Sequence, residues 1–135
     1  MATVSANRTA PDRLEINGER LWVTLMELAQ IGAYDDAETG LAGVNRQSLT
    51  DADAEGRNLL VRWMEEADLD VSIDEMGTIF GRMEGADPRL RPVVAGSHID
   101  SVGTAGAFDG CLGVLGAWRS YVRSTIGASG RGAHW

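Results

Sequence analysis

The stretch Pro92-Val93-Val94-Ala95-Gly96-Ser97-His98-Ile99-Asp100-Ser101 constrains the fold more than any other part of this 135-residue sequence. A short apolar run behind a Pro/Arg loop reads as a buried strand over Val93–Ser97. The run ends in small residues and then delivers a histidine and an aspartate two positions apart. Residues i and i+2 of extended backbone face the same side, so His98 and Asp100 are placed to touch at the strand's end. Further on, Asp109 of Ala107-Phe108-Asp109-Gly110 opens a helix. Strand, loop and helix in that order describe an α/β layer, and α/β sheets place their sites beyond the carboxyl ends of strands.

The preceding chain supplies the layers that such a unit needs. Asn17 is placed to cap a helix from Gly18 to about Ile31, with Glu19 in its first turn. Trp22, Leu25, Met26 and Ala29 fall on one stripe of that helix and read as ordinary core, and Gly32 stops it. Residues 33–49 read as a loop, in which Asp35, Asp36 and Glu38 are solvated charge and Arg46 is assigned no role. Thr50 with Asp53 is a weak capping box for a second helix, Asp51 to about Ala67, whose apolar face is Leu60, Trp63, Met64 and Ala67. Its early carboxylates suit the positive end of the helix dipole. Leu69, Val71 and Ile73 then alternate with Asp70, Ser72 and Asp74, the period of a half-buried strand. A turn at Met76-Gly77 and a second strand over Thr78–Met83 complete a hairpin.

Composition narrows the function classes. The apolar fraction of 44% with 24% charged residues is that of a soluble globular domain. A net charge of −8 argues against a nucleic-acid partner and against anionic membrane surfaces. No apolar run is long enough to span a bilayer, and residues 1–20 carry no apolar signal core. The single cysteine, Cys111, cannot form an internal disulfide and reads as a small buried thiol, so the expected location is cytoplasmic.

His98, Asp100 and Asp109 are residue types that a metal centre needs: an imidazole ligand, a carboxylate to hold its other ring nitrogen, and a carboxylate ligand. A lone His-x-Asp is more often hydrogen-bonded structure than a ligand. The longer string Gly96-Ser97-His98-x-Asp100-Ser101…Phe108-Asp109-Gly110 is far more specific. It resembles the N-carbamoyl-L-amino-acid hydrolases, the hydantoinase/carbamoylase family of amidases, within the dinuclear-metal aminoacylase–carboxypeptidase group. The likeness extends through Ile16-Asn17-Gly18-Glu19-Arg20-Leu21-Trp22, Leu59-Leu60-Val61-Arg62-Trp63-Met64 and Asp74-Glu75-Met76-Gly77-Thr78-Ile79-Phe80-Gly81.

The resemblance implies an α/β fold, the N-terminal part of a mixed-sheet, zinc-peptidase-like catalytic domain that is incomplete here. It also implies two divalent metal ions (zinc, manganese, cobalt or nickel), with His98 binding one, Asp109 bridging both, and Asp100 orienting His98 as the catalytic-site carboxylate. Two such cations activate a water and polarise the ureido or amide carbonyl of a small N-carbamoyl amino acid. The full-length relatives are expected to be homodimers. Allantoate hydrolysis, a peptidase or aminoacylase fragment, and a non-enzymatic interaction module are the alternatives. The substrate-binding residues are not identified.

The family pattern continues with a Glu-Glu pair and further histidines. Residues 112–135 contain no Asp or Glu, and His134 has no supporting context. The expectation is therefore a loose tail over 1–14, a partial metal-binding catalytic domain over 15–117, and a divergent tail over 118–135, inactive as it stands. All 12 basic residues are arginine, which points to GC-rich codons. With such codons, reading residues 118–127 one nucleotide earlier gives an apolar residue, then Glu-Val-Val-Arg, and later Asp-Arg-Gly. That alternative is an amphipathic helix with a glycine stop, whereas Gly127 to Gly132 as given would break a helix.

Overall fold

The computed structural model describes residues 17–85 and 87–129, with the side chains of 122–129 left aside. Helix α1 spans Gly18–Ala29, and Asn17 caps it by accepting the Arg20 N–H at 2.9 Å. The chain leaves α1 through Gly32, whose φ of +81° is the left-handed conformation a glycine adopts freely. Residues 33–44 are not the loop expected above. They form a short antiparallel hairpin, β1 (Ala33–Asp35) on β2 (Ala42–Val44), with Tyr34 opposite Gly43. A Cβ at Gly43 would lie 2.5 Å from the Tyr34 ring, so the glycine makes room for that aromatic. Asp36 shapes the turn by accepting from the Glu38 N–H and the Thr39 hydroxyl.

Helix α2 spans Asp51–Glu66, and Thr50 caps it by accepting the Asp53 N–H. The return bond of the box closes one residue early: Asp53 accepts the Leu49 N–H at 3.0 Å. Strands β3 (Asp70–Ile73) and β4 (Ile79–Arg82) form the predicted hairpin, turned at Gly77 with φ +83°. Gly81 brings β4 close to α2, since a Cβ there would lie 2.9 Å from Leu69 and 3.0 Å from the Met64 sulfur. Helix α3 spans Cys111–Ser129. It runs without a break past Ala117 and through Gly127, where the sequence suggested a stop.

The core is a three-helix layer. Leu25 and Leu28 of α1 meet Leu59, Leu60 and Trp63 of α2 and Cys111, Val114, Leu115 and Trp118 of α3. The α3 members fall at i, i+3, i+4 and i+7, so one stripe crosses the boundary expected at residue 117. Trp118 stacks on Trp63 with ring centroids 5.6 Å apart, and the Tyr121 hydroxyl donates to the Ala67 carbonyl.

Two further expectations fail. Val93–Ser97 is not a strand: it has no ladder partner among the described residues, and Val93 is 99% exposed. An apolar run becomes a strand only where a neighbour takes up its peptide groups. Trp22 is not core; it is 54% exposed and leans on Phe108 at 5.8 Å between ring centroids. The expected tail over 1–14 and His134 lie outside the described residues.

Candidate metal centre

The site segment is held from beneath by one apolar residue. Ile99 is buried in the helix core, so its neighbours His98 and Asp100 are turned outward. The His98 Nδ1 lies 3.2 Å from the Asp100 Oδ1 and 3.1 Å from the Asp100 carbonyl oxygen. Donation from Nδ1 to either oxygen fixes the imidazole tautomer and leaves Nε2 as the lone-pair nitrogen. Among the described residues Nε2 has no hydrogen-bond partner. Asp100 is held in turn: the Ser48 hydroxyl donates to its other oxygen at 2.7 Å. That bond pulls the Asp100 carboxyl below its ordinary range, against partial burial and with help from His98.

Gly110 packs its backbone against the imidazole. Its φ is +64°, and a Cβ there would sit 2.5 Å from the His98 ring and 2.4 Å from the His98 carbonyl oxygen. The ring therefore lies directly against the residue that follows Asp109. Asp109 is exposed at the entrance to α3, and its carboxylate takes no hydrogen bond or ion pair among the described residues. An open imidazole nitrogen and an uncommitted carboxylate on the residue before Gly110 are donor types that suit a borderline divalent cation. They do not close a centre: among the described residues no group of three or more His, Cys, Asp and Glu side chains gathers around one point.

Three residues that the sequence left without a role support this segment. Ser48 fixes Asp100. The Ser101 hydroxyl accepts the Arg46 N–H at 2.8 Å, while the Ser101 N–H donates to the Arg46 carbonyl at the same distance. The Arg46 guanidinium is buried and donates to the Ile99 carbonyl between the two site residues. These contacts join positions more than 50 apart in sequence, and no local periodicity announces them. Burial raises the Cys111 thiol pKa, with Arg46 opposing the shift.

No family model matches the chain. Over 101 residues it is 52% identical to an N-carbamoyl-L-amino-acid amidohydrolase of Rhizobium meliloti, covering 74% of this chain and 23% of that protein. It is 39% identical over 90 residues to allantoate deiminase 2 of Glycine max, covering 67% of this chain and 18% of the relative. Its structure superposes with a TM-score of 0.79 on a hydantoinase/carbamoylase family amidase from Burkholderia multivorans, at 43% identity, over 87% of this chain and 27% of the other. The chain thus spans about a quarter of the length of the proteins it matches. Among the described residues, no helix is long and apolar enough to cross a membrane.

Proposed function

We propose, from the premise that this chain is a relative of the hydantoinase/carbamoylase family amidases over most of its length, that it carries part of the metal centre of an N-carbamoyl-L-amino-acid amidohydrolase. The observation that carries the proposal is the His98–Asp100 pair, with its imidazole packed against Gly110, the residue that follows Asp109. In this reading His98 Nε2 and Asp109 are ligands, and Asp100 sets the imidazole tautomer. Divalent cations, when bound, activate a water and polarise the carbonyl of the ureido group.

The residues of this chain do the holding. Asp100 keeps the Nδ1 proton in place so that Nε2 faces the ion, and Ser48 keeps Asp100 from turning away. Asp109, with two oxygens and a full charge, offsets cation charge and can be shared between two ions. The described residues supply fewer ligands than two ions need, and none of them stands as the general base. Turnover therefore belongs to a larger assembly of groups than the one described. Higher identity to the N-carbamoyl amino-acid amidohydrolase than to the allantoate deiminase favours a carbamoyl amino acid over allantoate as substrate.

Metal uptake is the direct test. Calorimetric titration of the chain with Zn2+, Mn2+, Co2+ and Ni2+ is expected to give binding that His98→Ala and Asp109→Asn each remove. Uptake that neither substitution changes would sink the assignment. For the substrate class, the full-length gene product is expected to hydrolyse N-carbamoyl-L-amino acids faster than allantoate, and the reverse order would favour the ureide reading.

A further inference from the structure

Arg46 is the most deeply buried charged side chain described, 1% exposed, and among the described residues no carboxylate pairs with it. Each of its three nitrogens is nevertheless engaged. Nε donates to the Ile99 carbonyl at 2.8 Å; Nη1 donates to the Leu28 and Ile31 carbonyls at 2.9 and 2.7 Å; Nη2 lies 3.1 Å from the Cys111 sulfur. Leu28 and Ile31 lie at the carboxyl end of α1, where carbonyls lack helical partners and the helix dipole favours a cation. The pocket is cut to the side chain: a Cβ at Gly56 of α2 would sit 2.8 Å from the Arg46 Cδ.

The guanidinium stabilises the chain by satisfying those carbonyls, but satisfying them does not by itself require one side chain to reach all of them together. What the guanidinium adds is a rigid link in two directions. One arm fixes the peptide between His98 and Asp100. The other meets Cys111, the first residue of α3, two positions after Asp109. The main chain of Arg46 clamps Ser101 as well, by the reciprocal bonds described above.

We infer that Arg46 is a positioning residue for the proposed centre, holding the segments that carry His98 and Asp109 in one geometry. The inference rests on the metal reading for its purpose, but not for its geometry. A planar fork with fixed donor directions is needed to reach three carbonyls and a thiol together, and a lysine ammonium cannot span them.

The test uses the whole chain with His134→Gln as background, which leaves His98 as the single histidine. Long-range nitrogen–proton NMR at a pH where the ring is neutral reads which nitrogen carries the proton, and zinc calorimetry reads affinity. The parent is expected to hold the Nδ1–H form. Arg46→Lys and Arg46→Met are expected to give a mixture of tautomers and at least a tenfold loss in zinc affinity. Leu60→Ala, a destabilising control in the same core, is expected to leave both readings unchanged.

If zinc binds through His98 and the Arg46 variants keep the parent's ring form and affinity, the inference is overturned. A ring whose tautomer depends on Arg46 in a chain that takes up no zinc would overturn the metal reading and leave the positioning role standing. Should neither variant fold, exchange of the Arg46 Nε–H in the unaltered chain decides. Protection equal to that of the Ser101 amide supports the link, and exchange at the solvent rate refutes it.

Discussion

Two guanidinium groups lie against the same helix core, and they are treated in opposite ways. Arg46 has every nitrogen bonded to a fixed acceptor and a glycine opposite its stem. Arg119 packs over the Trp118 ring at 4.3 Å, and its Nη2 reaches the Thr24 hydroxyl. Its Nε and Nη1 are buried with no hydrogen-bond partner among the described residues. Burial is the main influence lowering the Arg119 pKa, followed by repulsion from Arg20, with Glu27 in weaker opposition. A cation surrounded by built acceptors belongs to its position; one that leaves two donor nitrogens unused and faces another arginine does not. The difference separates the part of the chain read as a catalytic segment from the part read as out of frame.

The largest expected effect is at position 46. Arg46→Met strips three buried carbonyls of a donor and is expected to lower the unfolding free energy by roughly 3–5 kcal/mol, measured by urea titration. Gly56→Ala comes next. Alanine is the better helix former, yet its methyl group would crowd the Arg46 stem, so a net loss of about 1–3 kcal/mol is expected. A gain in stability would break the picture of a pocket cut to fit.

Changes near 119 are expected to carry the opposite sign. Arg119→Met, which keeps the stem and removes the orphaned donors, is expected to stabilise by about 1–2 kcal/mol. Arg119→Glu places at 119 the residue that the shifted frame encodes, and it turns repulsion by Arg20 into attraction. It is expected to be at least as stable as the parent, and loss of stability would count against a frame slip. Sequencing the coding DNA addresses that reading directly, with a family-like peptide expected one nucleotide earlier. The smallest effect is expected at Gly116, where a Cβ meets nothing within 4 Å: Gly116→Ala should add about 0.5–1 kcal/mol.

What could be read in advance follows from the range of the interactions involved. The helices of residues 18–66 and the hairpin of 70–82 announce themselves because stripe, alternation and cap are local patterns. The His98–Asp100 contact was legible for the same reason, being two residues long. The β1–β2 hairpin was not, since three-residue strands show no period and Gly43 reveals its purpose only against Tyr34. Val93–Ser97 misled because an apolar run carries no mark of whether a neighbouring strand will meet it. Arg46 sat in a polar loop like any other arginine; its acceptors at Leu28, Ile31, Ile99 and Cys111 come from three separate parts of the chain. The run of α3 past Ala117 is hidden in the sequence by the glycines from 127 onward, which argue for a break, while its apolar stripe is plain only against the packed core.

Gly110 has a consequence for how tolerant the centre is to change. Its left-handed backbone and the imidazole resting on its α-carbon leave no volume for even a methyl group. A library randomised at this codon and sorted for zinc retention should return glycine alone. The neighbouring position 108 has only a half-open ring contact to satisfy and should admit several aromatic solutions.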